Sequence, residues 1–112
     1  MDREIELTYR LTGHLKEGES VLATLLSVRH GIYAATDQRI LCLNNERIGY
    51  RLKVHSYSDL NLVRCFEEGG LWFVAFASNG RELAVRARSQ REAERFVGTA
   101  AKFLVPAGGQ TV

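Results

Sequence analysis

The sequence has little of what marks a catalytic or metal-binding chain. Among its 112 residues only two are cysteines, Cys42 and Cys65, and both sit inside apolar, strand-like runs. They lack the spacing of a metal knuckle, and there is no second pair to complete one. A disulfide would need their strands to be neighbours; buried free thiols in a reducing compartment are the reading adopted. Neither sign of charge is in excess, since 15 Lys and Arg against 13 Asp and Glu leave a formal charge of +2. Nucleic-acid binders concentrate far more positive charge on one face, so no nucleic-acid partner is expected. No apolar run approaches the roughly 20 residues of a membrane-spanning helix. The opening MDREIELTYR is acidic, unlike a signal peptide, and the expectation is a soluble, cytoplasmic protein. A Gly-rich phosphate loop, a nucleophile elbow and a paired-carboxylate constellation are all missing, so neither catalysis nor a cofactor is expected. His14, His30 and His55 lie on three separate segments, which offers no metal site.

What is present is a globular composition, 46% apolar and 25% charged, arranged as a succession of short strands. The length suits one domain, read as residues 1–105 with a flexible tail at 106–112, that buries about two-thirds of its unfolded surface. The first segment, 1–17, is ambiguous. Ile5, Leu7, Tyr9 and Leu11 alternate as a strand would, while Leu7, Leu11 and Leu15 share one helical stripe; a short helix is the reading adopted. KEGES (Lys16 to Ser20) is then a polar turn.

Seven strands follow within residues 20–88. SVLATLLSV stops at the turn signal Arg29-His30-Gly31, and Ile32 to Thr36 and Ile40 to Leu43 flank the polar corner TDQR. Asp37 can bond its own following backbone, so that corner reads as a hairpin connection whose charges stay in water. From Arg47 to His55, Ile48, Tyr50, Leu52 and Val54 alternate with Gly49, Arg51, Lys53 and His55, which predicts one dry face and one wet face. SYSDL is a corner with Tyr57 and Leu60 turned inward. Leu62 to Phe66 leads through EEGG to LWFVAFA, apolar throughout and so predicted to be a central strand covered on both faces, with Trp72, Phe73 and Phe76 in the core. SNGR is a strong hairpin signal, and Leu83, Val85 and Ala87 of the last strand should point inward. Over 89–105, Ser89 and Glu92 form a capping box, and Ala93, Phe96, Val97, Ala100 and Leu104 make a single apolar stripe.

This order resembles the pleckstrin-homology superfold, and local residues resemble the short bacterial pleckstrin-homology-like domains. The matching pieces are KEGESVLATL, GIYAATDQRILCL, YSDL and GRELAVRARSQREAERFVGTAAKFL, which together span Leu15 to Leu104; ATDQRI is the most specific. The resemblance implies a mainly β (α+β) fold: a seven-stranded, antiparallel, partly open barrel of two near-orthogonal sheets capped by the C-terminal helix. It also implies a non-catalytic binding or scaffolding role through protein contacts, with self-association known among such domains. The phosphoinositide-binding relatives use basic residues in the first loop and along the second strand. Here the loop offers only Arg29 and His30, and Ile32 to Thr36 has no cation, which argues against inositol phosphate.

Two basic groups remain as candidate sites. In a pleckstrin-like arrangement Arg29, His30 and Arg47 would converge at one end of the barrel as a small anion site, or would simply be solvated hairpin tips. Arg51, Lys53 and His55 form a stripe that could meet an anionic lipid surface or could guard a sheet edge. Arg81, Arg86, Arg88, Arg91 and Arg95 are interleaved with Glu82, Glu92 and Glu94, a mixture that predicts local ion pairs. GGQ at Gly108 to Gln110 matches the tripeptide of peptide-release factors but stands in a tail without their domain, and is read as coincidence.

Overall fold

Each strand ends where a residue suited to turning stands, so the connections are short and the pairings local. The computed structural model describes residues 3–27, 29 and 31–104. Helix α1 (Arg3–Thr12) is followed by β1 (Val21–Ser27), β2 (Gly31–Thr36), β3 (Arg39–Asn45) and β4 (Tyr50–Ser56). A 3-10 turn, Tyr57–Asp59, leads to β5 (Leu62–Glu68), β6 (Leu71–Ser78) and β7 (Arg81–Arg86). Helix α2 (Gln90–Ala100) then runs into a second 3-10 turn, Ala101–Phe103. The tail expected at 106–112, GGQ included, lies outside the described residues. The molecule is mainly β: a four-stranded sheet in the order β1-β2-β3-β4, a three-stranded sheet in the order β5-β6-β7, and a helix at either end. All pairings are antiparallel and join consecutive strands, an arrangement consistent with a pleckstrin-homology-like fold.

Two turns show why particular residues occupy them. Asn79 and Gly80 both have positive φ, 51° and 78°, the left-handed pair that matches the twist of a two-residue hairpin. Gly31 opens β2 at φ 87°, and a Cβ there would meet the Leu43 carbonyl oxygen at 2.2 Å, so only glycine lets the two strands approach.

The TDQR corner is more than a solvated hairpin. Asp37 and Gln38 are exposed, but Arg39 turns back onto Glu19, whose side chain is fully buried. Arg39 Nε and Nη2 donate to the two Glu19 carboxylate oxygens at 2.9 and 3.0 Å, and the Thr36 hydroxyl donates to one of them at 2.7 Å. Lys16 N–H donates to the other at 2.9 Å, and Arg39 Nη2 also reaches the His14 carbonyl. The Thr36 oxygen accepts from the Gln38 and Arg39 amides, and Asp37 accepts from Ser20 N–H. A buried carboxylate is tolerated because each of its oxygens is satisfied by charge-assisted bonds. KEGES is thus knotted to the β2–β3 turn.

Period two divides the four-stranded sheet between two cores. On the inner face Leu25, Tyr33, Ala35, Ile40 and Cys42 meet Val63, Val74, Phe76 and Val85 of the other sheet. Ala93, Phe96 and Ala100 of α2 are fully buried there, and Phe96 meets Phe76 edge-on at 5.9 Å. Helix α2 therefore corks the space between the sheets, with Val97 and Leu104 packed at its margin. Ser89 Oγ accepts from Glu92 N–H as a cap should. The Glu92 carboxylate, however, accepts from Arg88 N–H and from Leu26 N–H of β1, not from the Ser89 amide that a capping box requires. It ties α2 to the sheet. On the outer face Ile32, Ala34, Leu41 and Leu43 pack beneath Leu7 and Leu11 of α1, so the N-terminal segment is a helix.

Two faces differ from the alternation predicted for them. Ile48 lies in the β3–β4 turn, not in the strand, and is 92% exposed; Tyr50 and Val54 are also exposed, and only Leu52 packs partly beneath α1. The cause is lateral, since α1 packs mainly over β2 and β3 and meets the edge strand β4 at Tyr50 and, in part, at Leu52. Strand β6 is central, yet one face alone is covered by other elements. Trp72, Val74 and Phe76 face the core, whereas Phe73 stacks on Phe66 at 5.3 Å on the outer face, half-buried, so Phe73 is not a core residue. Leu83 shares the inward face with Val85 but is 37% exposed.

Candidate functional site

The β1–β2 and β3–β4 turns share one end of the four-stranded sheet, as expected. Asn44 Nδ2 donates to the Arg29 carbonyl at 3.3 Å, which joins the first turn to the end of β3. Arg29 and Arg47 are both exposed and make no ion pair among the described residues. His30, the third member of the group, lies outside the described residues. The structure thus brings Arg29 and Arg47 to the same end of the sheet.

The stripe read as a wet face is wet at Arg51 and Lys53, which are exposed, but not at His55. These residues pair with Asn44, Cys42 and Ile40, and Cys42 and Ile40 belong to the inner core, so the stripe is on the concave side of the sheet. Arg51 pairs with Glu46 at 3.5 Å, both exposed. With Lys53, Tyr33, Cys42 and Asn44 they line a cavity of only about 50 Å³. Burial pushes the Cys42 thiol up, and Tyr33, hydrogen-bonded to it, is raised by its own burial. His55 departs from the stripe altogether. Its ring lies parallel to Phe76, 6.1 Å between centroids, and Nε2 is buried with no hydrogen-bond partner. Burial, and then the Lys53 charge, lower its pKa, so the imidazole is neutral at pH 7.

Of the arginines expected to pair locally, Arg88 does so with Glu92, while Arg81, Arg86, Arg91 and Arg95 make no ion pair among the described residues. Arg88 bridges Glu4 of α1, at 2.9 Å, and Glu92 of α2, at 2.6 Å. Arg64 pairs with Glu82 and lies over the Phe66 ring.

Sequence reasoning missed the flank made by α1 and β4. Leu7 and Leu11 face the sheet, which leaves Ile5 and Tyr9, one turn apart, on the opposite side of the helix; Tyr9 is 79% exposed. Beside them the Tyr50 hydroxyl donates to Glu6 at 2.8 Å, and the Arg10 guanidinium lies 4.2 Å from the Tyr50 ring centroid. Tyr9, Arg10 and Tyr50 line one groove with Leu43. Val54 continues the exposed apolar surface along β4, and Ile48 stands at the tip of the adjoining turn. The signal was available: apolar residues at 5 and 9 fall outside the helical stripe that 7 and 11 define.

Among the described residues no group of three His, Cys, Asp or Glu side chains could hold a metal, and no helix is long and apolar enough to cross a membrane. Comparison with protein-family models, curated proteins and solved structures yields no match.

Proposed function

We propose that the chain is a cytoplasmic, non-catalytic binding and scaffolding domain of the bacterial pleckstrin-homology-like kind, acting through protein contacts, with a second copy of itself among its partners. One observation carries this reading: Tyr9 of α1 and Tyr50 of the edge strand β4 are exposed and line one groove, with Ile5 also exposed on α1 and Val54 on β4. Scattered apolar residues on a surface need no explanation, but a run of them bordered by charge marks an interaction face. Tyrosine suits such a face because it offers a large rigid contact and a hydroxyl that stays satisfied at the rim. The alternative, a phospholipid headgroup at the basic end, is less well supported. Its cavity is about 50 Å³ and carries the acidic Glu46 beside Arg51 and Lys53.

Light scattering across a concentration series tests the reading. Mass should rise with concentration, and Tyr9→Asp or Val54→Asp should return the protein to a monomer without unfolding it. A monomer at every concentration removes self-association. Salt-sensitive co-sedimentation with anionic vesicles, lost in Arg51→Gln/Lys53→Gln, would favour the headgroup instead.

A further inference from the structure

A second opening lies on the other side of the inner core, where the end of β4 faces the β6–β7 hairpin. A cleft of about 700 Å³ runs between them, lined by His55, Leu60, Phe76, Leu83, Ser78, Asn79, Arg81 and Glu82. That volume is in the range of small-molecule sites. The wall on the hairpin side is fixed. Ser78 Oγ donates to the Asp59 carbonyl at 2.6 Å, and Asn61 N–H donates to the Ala77 carbonyl at 2.8 Å, so hairpin and corner are clamped to each other.

Three features of the cleft are left unfinished by the fold itself. Leu60, Phe76 and Leu83 give it an apolar floor, and Leu83 is an inward-facing leucine that nothing covers fully. His55 Nε2 is buried without a hydrogen-bond partner, whereas nearly all buried polar groups have one. Arg81, at the hairpin end, makes no ion pair among the described residues. Glu82, its neighbour, does not neutralise it, because the Glu82 carboxylate is held by Arg64.

We propose that this cleft binds a small monocarboxylate with an apolar body, the body lying on Leu60, Phe76 and Leu83 and the carboxylate taking hydrogen bonds from the Arg81 guanidinium and, once the side chains that cover it shift aside, from His55 Nε2–H. One anionic charge matches Arg81, the cation among the cleft's described lining residues that makes no ion pair. A phosphate monoester would bring nearly two charges against that single cation, and inorganic phosphate would offer no apolar surface to the floor. The imidazole enters as a neutral donor, and the bound carboxylate supplies the partner that its nitrogen lacks. This site is independent of the α1–β4 flank: no residue is shared between them.

Nuclear magnetic resonance titration of the full chain with phenylacetate tests the proposal, with acetate, benzyl alcohol and inorganic phosphate as separate probes. Phenylacetate is expected to shift Leu60, Leu83 and the His55 ring in one saturable event at millimolar concentration or below. Arg81→Gln and His55→Phe, which keeps the ring stack, should each weaken binding about tenfold, as loss of a hydrogen bond to a charged group does. Leu83→Ser should weaken it too. Thermal unfolding of each variant confirms that the fold is retained. No saturable shift, equal binding of benzyl alcohol or phosphate, or unchanged affinity in both Arg81→Gln and His55→Phe overturns the assignment.

Discussion

At the scale of single residues, Glu19 shows how far one side chain can set local structure. The Arg39 guanidinium is the main cause that holds its carboxyl at about 2, below the ordinary 4.5, with the Lys16 amide and the Thr36 hydroxyl adding to the effect against burial. A carboxyl whose pKa is depressed by folding stabilises the fold fully above its unfolded value. That contribution drains away as pH falls from about 4.5 towards 2. Arg39→Met, which strands the buried carboxylate, is expected to cost about 3–5 kcal/mol in a denaturant titration at pH 7. Its stability should then depend less on pH in the acid range than the wild type does. Equal stability for the two at pH 7 would show that the pair is not coupled to folding. The sequence exposes the ingredients of this knot but not the pairing. KEGES and TDQR each read as polar turns, because nothing local marks one glutamate as buried against an arginine 20 residues further on. Likewise His55 looked like the third cation of a wet stripe, and only the stacking on Phe76 places it inside.

Among elements, β4 departs most from its pattern, and its position in the sheet explains why. Alternation tells which residues share a face but not whether an edge strand has anything above it. The same edge also carries its own protection. In the centred antiparallel pairings of two β4 strands that keep their core faces aligned, Arg51 meets Lys53, or one of them meets its own copy. Such cation pairs are destabilising. Contact between copies is therefore assigned to the α1 flank and not to this edge. Replacing both cations, Arg51→Thr/Lys53→Thr, should raise edge-to-edge association, seen as higher-order species in sedimentation velocity at a concentration where the wild type has none. Unchanged sedimentation would mean that the cations do not guard the edge. Helix α1 teaches a related lesson. Its ambiguity in the sequence arose from Ile5 and Tyr9, which complete a period-two pattern with Leu7 and Leu11. Those two residues are the exposed ones, so the clash between two periodicities marked the candidate contact surface.

Taken as a whole, the molecule was legible in outline because its pairings are local. Every sheet contact joins neighbouring strands across a short connection, and turn residues such as Asn79-Gly80 and Gly69-Gly70 announce where the chain reverses. The stripe that corks the sheets was also readable from its 3.6-residue spacing. Phe96→Ala should lower stability by about 3–5 kcal/mol in chemical denaturation, since its fully buried ring meets Phe76 at the centre of the inner core. A cost below about 1 kcal/mol would contradict the plugging role of α2. Less legible was anything that depends on how sheets and helices lie across one another: the concave-side position of Arg51 and Lys53, the uncovered flank, and the cleft between β4 and the β6–β7 hairpin. These features are where the surface departs from a uniformly solvated one, and they carry the functional reading.

The central claim, that α1 and β4 form a protein contact surface, is tested most directly by amide hydrogen exchange on dilute and concentrated samples. The account expects slower exchange on concentration in α1 and β4, with β5, β6 and β7 unchanged. Identical exchange throughout, or new protection confined to the three-stranded sheet, would contradict it.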